Sequence, residues 1–165
     1  MADHESIFKL SAALVEELAT AGKTVTTAES CTGGWVAKAI TDVPGSSDVF
    51  AYGIVSYSNG AKESLLGVQP QSLEDHGAVS EAVVTEMAAG VLGLSGASIA
   101  VAVSGVAGPT GGSPEKPVGT VWFAWAVRDG AAVKSDASRE CFTGDRDLVR
   151  ELTVVHALQG VRERI

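Results

Sequence analysis

The segment TVTTAESCTGGWVAKAIT, Thr24 to Thr41, decides the reading of the fold. Thr24 to Ala28 is rich in β-branched residues, which suit a pleated strand. Glu29-Ser30-Cys31-Thr32-Gly33-Gly34 then reads as a turn, and Trp35 to Thr41 as a short helix closed by Pro44-Gly45. Upstream, Ser6 to Ala21 spaces Ile7, Leu10, Leu14 and Leu18 along one helical face, and Gly22 is a plausible stop. Downstream, Tyr52 to Tyr57 reads as a strand, Ala61 to Leu66 as a short helix, and Ser80 to Leu94 as a helix with Ser80 at its N-cap. Ser98 to Ser104 is almost uniformly apolar, as expected for a strand buried on both faces. Val118 to Val127 and Ala132 to Phe142 read as two strands joined by the turn dipeptide Asp129-Gly130. Asp145 to Arg162 reads as a closing helix. Helices and strands alternate throughout, which predicts a single α/β domain over residues 1–165: three α/β/α layers around a mixed sheet.

Length and composition agree with that picture. A chain of 165 residues buries roughly two-thirds of the surface it exposes when unfolded. With 45% hydrophobic and 19% charged residues it is a globular sequence and not a disordered one. The net charge of −8 repels phosphate backbones, so a general nucleic-acid binder is not expected. Cys31 and Cys141 form no CxxC pair, the first residues carry no basic region followed by an apolar run, and no stretch of about 18 apolar residues occurs. The expectation is a reduced, cytoplasmic protein with no membrane span.

Four segments carry chemistry. The first is Thr27 to Gly34, where a strand-to-helix turn can expose Ser30 above the sheet and aim free amides at a bound carbonyl. Ser30 or Thr32 can equally cap the helix that follows. Cys31 is a rival nucleophile, activated if its thiolate sits at a helix N-terminus. His4, His76 and His156 are scattered, so neither a Ser-His-Asp triad nor a metal site of closely spaced histidines is indicated. The second segment is Tyr57 to Lys62, at a strand end, where a lysine of lowered pKa can serve a serine as base. A solvated helix lysine is the plain alternative. The third is the glycine-rich stretch Ser104-Gly105-Val106-Ala107-Gly108-Pro109-Thr110-Gly111-Gly112, whose amides can gather around an anion. It matches neither a Walker A loop nor GxGxxG. The fourth, Cys141 to Arg146, offers Arg146 to a phosphate, or simply caps the last helix through Asp145.

Taken together, the stretches AESCTGGWVAKAITDVPGSS, YGIVSYSNGAK, HGAVSE, VSGVAGPTGGSPEKPVGTVWFAW and ECFTGDRD resemble the C-terminal domain of the competence/damage-inducible protein CinA. The likeness is strongest to the family's stand-alone form, the nicotinamide-nucleotide amidohydrolases. It runs from about Thr24 to the last helix. The resemblance implies a compact three-layer α/β fold and hydrolysis of the carboxamide of nicotinamide mononucleotide (NMN), giving nicotinate mononucleotide and ammonia. It implies Ser30 as nucleophile, Lys62 as its partner and Tyr57 as an assisting group, with no cofactor and no metal. Substrate contacts are expected from Cys31, Thr32, Gly33, Gly34, Ser104, Gly105, Gly108, Thr110, Gly111, Gly112 and Arg146, with Lys38 as a weaker phosphate ligand. Longer CinA proteins carry an upstream domain associated with ADP-ribose pyrophosphatase activity, which is not carried over here. A homo-oligomer is expected. The competing readings are a pyridine-nucleotide-binding module without catalysis, linked to competence or DNA-damage responses, and an amidase for another small carboxamide.

Overall fold

The computed structural model describes residues 4–165. Helix α1 spans His4–Ala21, strand β1 Val25–Glu29 and helix α2 Trp35–Thr41, followed by a 3-10 turn at Ser46–Asp48. Then come β2 (Ile54–Val55), α3 (Asn59–Leu66), α4 (Pro70–His76) and α5 (Glu81–Ser95). Strands β3 (Ile99–Gly105), β4 (Thr120–Asp129) and β5 (Ala132–Cys141) precede α6 (Arg146–Arg162). The strands lie in the order β2-β1-β3-β4-β5. β1 runs parallel to both β2 and β3, while β3-β4 and β4-β5 are antiparallel, so the sheet is mixed as expected.

The two faces of the sheet are unequal because side chains alternate along each strand. Val25, Ile99, Val101, Val103, Val121, Phe123 and Trp125 form one core with α1, α2 and α6. Ala28, Ala100, Ala102, Ala124 and Ala126 meet α3 and α5 on the other. The result is the three-layer α/β/α arrangement. Alanines let helices come close to the sheet, and Gly90 lets them come close to each other. A Cβ at Gly90 would lie 2.0 Å from the carbonyl oxygen of Leu66, the last residue of α3.

The strand expected at Tyr52 to Tyr57 shrinks to Ile54–Val55. It is an edge strand, and the chain leaves it to start α3 at Ser58, whose side chain accepts from the Ala61 amide. Helix α4 was not expected. Pro70 in its first turn was the readable sign, since proline is preorganised for that position. The hairpin pairs Asp129 with Ala132, so its two-residue loop is Gly130-Ala131, one residue later than expected. Ser80 caps α5 by accepting from Val83, as its sequence position suggested. Among the described residues no helix is long and apolar enough to cross a membrane.

Candidate active site

Ser30 directly follows β1, at the carboxyl end of the parallel strands, where α/β sheets gather ligands. Alternation sends Glu29 toward α2 and Ser30 toward α3. The Ser30 amide donates to Val103 O at 3.1 Å, and the Ser56 amide donates to Glu29 O at 2.8 Å, extending the ladders one residue beyond their last pairs. Ser56, Ser30 and Ser104 therefore stand side by side across the strand ends, all three buried.

The turn is held from below by Glu29, which is 1% exposed. Its Oε1 accepts from the Thr32 hydroxyl at 2.6 Å and from the Val36 amide at 2.8 Å, and its Oε2 accepts from the Ala37 amide at 3.0 Å. A carboxylate thus satisfies the orphan amides of α2 and complements the helix dipole. The expected alternative, a cap from the side chain of Ser30 or Thr32, is replaced, and the Ser30 hydroxyl caps no helix. Gly33 and Gly34 adopt φ of 61° and 100°, a backbone region that side chains with a Cβ rarely enter. Sequence reasoning passed over Glu29; an acid immediately ahead of a helix start was the available signal.

Arg150 is the second residue that was missed. From α6 its Nε donates to Cys31 O at 3.0 Å and its Nη2 to Thr32 O at 3.1 Å, while the guanidinium lies 5.5 Å over the Trp35 ring. The turn is therefore clamped on both sides, by Glu29 through the amides of α2 and by Arg150 through carbonyls of the turn. The amides of Thr32 and Gly34 keep no acceptor among the described residues. A cleft of about 390 Å³ opens beside this turn, lined by Thr32, Gly33, Gly34, Trp35, Lys38 and Arg150 together with His4. Lys38 is engaged with Asp42 at 2.6 Å.

Lys62 is no solvated helix lysine. It is 1% exposed, among the largest fully buried side chains. Its Nζ lies 3.0 Å from Ser30 Oγ and donates to the carbonyl oxygens of Ser56 at 2.8 Å and Tyr57 at 3.2 Å. Burial holds its pKa below the ordinary lysine value, with Cys31 acting weakly the other way. A neutral amine has two protons and one lone pair. In its neutral form Lys62 would give both protons to the two carbonyls, which only accept, and would turn its lone pair to Ser30 Oγ.

Cys31 is buried, and its thiol is pushed up to about 11, chiefly by burial. At neutral pH it stays protonated, which removes the reactivity that a thiolate would bring. Tyr57 is 61% exposed, and its hydroxyl accepts from Arg146 Nη2 at 3.2 Å. Its backbone carbonyl, not its ring, meets Lys62. Arg146 also donates to Gly108 O at 2.7 Å, which ties the glycine loop to the start of α6. Asp145 caps α6 by accepting from Leu148 at 2.9 Å. Ser104 and Gly105 belong to the end of β3, beside Ser30. Thr110, Gly111 and Gly112 lie exposed on the outer loop, with no hydrogen bond to Ser30 or Lys62. A larger cavity, of about 720 Å³, lies between α5, the residues 115–116 and the β4-β5 hairpin, and includes neither member of the Ser30–Lys62 pair. Among the described residues no three His, Cys, Asp or Glu side chains gather as a metal site would require.

Comparison with known proteins adds to this geometry. Residues 7–165 match the family described as the CinA C-terminal domain. The chain is 55% identical to the nicotinamide-nucleotide amidohydrolase PncC of Escherichia coli K12, over 96% of this chain and 94% of that protein. It is 59% identical to a putative competence-damage inducible protein of Symbiobacterium thermophilum, over 88% of this chain but 35% of that longer protein. Among solved structures it resembles the competence damage-inducible protein A of Klebsiella pneumoniae, with a TM-score of 0.90 and 43% identity, covering 95% of each chain.

Proposed function

The chain belongs to the CinA C-terminal domain family, and from that premise we propose that it is a nicotinamide-nucleotide amidohydrolase acting through Ser30 and Lys62. The substrate is NMN, the products are nicotinate mononucleotide and ammonia, and the task is pyridine nucleotide salvage. Near-complete alignment with an amidohydrolase of that name supports the reaction. The single observation that carries the chemistry is the buried contact of 3.0 Å between Lys62 Nζ and Ser30 Oγ.

Amide hydrolysis needs an activated nucleophile, a held oxyanion and a proton for the departing nitrogen. Neutral Lys62 takes the Ser30 proton as Oγ bonds to the carboxamide carbon. The direct contact makes a relay through Tyr57 unnecessary. The free amides of Thr32 and Gly34, in a turn held in place by Glu29 and Arg150, receive the oxyanion. Protonated Lys62 passes its proton to the nitrogen, the C–N bond breaks and ammonia leaves. Lys62, neutral again, takes a proton from water as it attacks the ester, and returns that proton to Ser30 Oγ as the ester C–O bond breaks, which restores both residues and releases nicotinate mononucleotide.

The substrate assists. Its pyridinium charge withdraws electrons from the carbonyl and disfavours the ammonium form of a nearby lysine. The phosphate rests on the glycine loop and Arg146. Arg146 and Gly108 join the dyad's surroundings through Tyr57, which supports their role as substrate contacts.

The test is ammonia release from NMN and from free nicotinamide by a chelator-treated sample. Release from NMN, with nicotinamide turned over far more slowly, is the expected result. Tight nucleotide binding by folded protein without any ammonia would favour the non-catalytic binding module instead. Preference for another carboxamide would redirect the substrate assignment.

A further inference from the structure

The Ser56 hydroxyl is fully buried and has no hydrogen-bond partner among the described residues. Buried polar groups are almost always paired, because an unmet one sacrifices its hydration for nothing. Among the described residues one other buried polar side-chain atom shares this condition, Thr27 Oγ1. Thr27 lies within β1 and packs against Gly53, where an added Cβ would fall 2.0 Å away, so close backbone packing surrounds it. Ser56 is placed differently. It stands next to Ser30 across the strand ends, on the face that receives Lys62, and its own carbonyl already accepts from Lys62 Nζ. Its hydroxyl is thus beside the reacting pair without being bonded to either member at rest.

The proton count at Lys62 shows when an extra acceptor is needed. At rest its nitrogen has three oxygen neighbours: Ser30 Oγ, Ser56 O and Tyr57 O. Once Ser30 Oγ bonds to carbon, Lys62 carries three protons and that oxygen is a poor acceptor. The ammonium must also turn about Cε–Nζ to aim one proton at the leaving nitrogen. Turning strains the longer of its two carbonyl contacts, to Tyr57 O at 3.2 Å.

We propose that Ser56 is a positioning residue whose hydroxyl accepts the proton that protonated Lys62 swings away from the Tyr57 carbonyl, so that another points at the leaving nitrogen. The hydroxyl gives and takes no proton overall. Ser30 loses one to Lys62, Lys62 delivers it to nitrogen, and ammonia departs. The contact forms only after attack, so it stabilises the transition state and not the resting enzyme. The inference rests on the Ser30–Lys62 reading above.

The experiment compares Ser56→Ala, Ser56→Thr and Ser30→Ala for NMN turnover and thermal melting. Loss of a hydrogen bond to a charged group predicts that Ser56→Ala lowers kcat by about tenfold or more, with KM little changed. Its melting temperature should stay level or rise, because the hydroxyl removed has no partner in the resting fold. Ser56→Thr keeps the acceptor and should recover turnover. If its extra methyl prevents folding, Ser56→Cys serves, a similar volume with a weak acceptor that should fall with alanine. Full kcat in Ser56→Ala, a loss confined to KM, or a lowered melting temperature would each overturn the proposal. An active Ser30→Ala would instead overturn the dyad on which it rests.

Discussion

The two faces of the sheet do different work. The face toward α1, α2 and α6 carries Ile99, Val101, Val103, Phe123 and Trp125, and it buries large apolar side chains. The face toward α3 and α5 carries a row of alanines. Large side chains bring more transfer free energy per residue and make the first face the main source of stability. Small ones give up that gain and bring helices close. Closeness is what the site needs, because Lys62 reaches Ser30 from α3, which is itself packed on α5 through Gly90. The structure thus separates a face that holds the fold from a face that sets a 3.0 Å contact.

Substitutions on either face can break this comparison. Phe123 is fully buried, so Phe123→Ala should cost about 3–5 kcal/mol of stability, read by chemical denaturation. Its folded fraction should retain kcat, since the contacts of Lys62 lie on the other side. Ala102→Val on the alanine face should cost less, about 1–3 kcal/mol from overpacking. It should nevertheless reduce kcat more, because misplacing a catalytic group by about 1 Å can cost on the order of a hundredfold. Equal ratios of lost stability to lost kcat in the two variants would erase the distinction between the faces.

A smaller effect sharpens it through pH. Burial holds the Lys62 pKa below its ordinary value in the native chain. Between the native pKa and the ordinary lysine value the unfolded chain binds more protons, so stability rises with pH in that window. Below the native pKa both states are protonated and the cost of burying the charge is felt in full. Lys62→Met lacks this titration. The wild-type melting temperature should therefore gain on that of Lys62→Met as pH rises from neutral, while a constant difference would mean that burial does not perturb the lysine.

Much of this is readable in the sequence. The apolar run of β3, the Ser80 and Asp145 caps and the strand-turn-helix around Ser30 follow from local pattern, and they fell within a residue or two. Its place at a strand end put Lys62 forward as a possible base, and the resemblance made it the partner of Ser30. The burial of Lys62 depends on how α3 approaches the sheet, which sequence periodicity does not report. Glu29 and Arg150 were missed for a related reason. Glu29 acts on amides up to eight residues away, and Arg150 reaches the turn from α6, so neither role has a local signature. The α4 helix was missed although Pro70 marks its first turn, and the one-residue shift of the hairpin loop is a boundary matter, where glycine placement left more than one solution.

The central claim is that oxygen of Ser30, not sulfur of Cys31, attacks the amide under the control of Lys62. The most direct measurement sets Ser30→Ala beside Cys31→Ala, with ammonia release from NMN and melting temperature recorded for both. The account predicts that Ser30→Ala loses turnover by orders of magnitude without losing its fold, and that Cys31→Ala continues to release ammonia. An active Ser30→Ala beside an inactive, folded Cys31→Ala would contradict it.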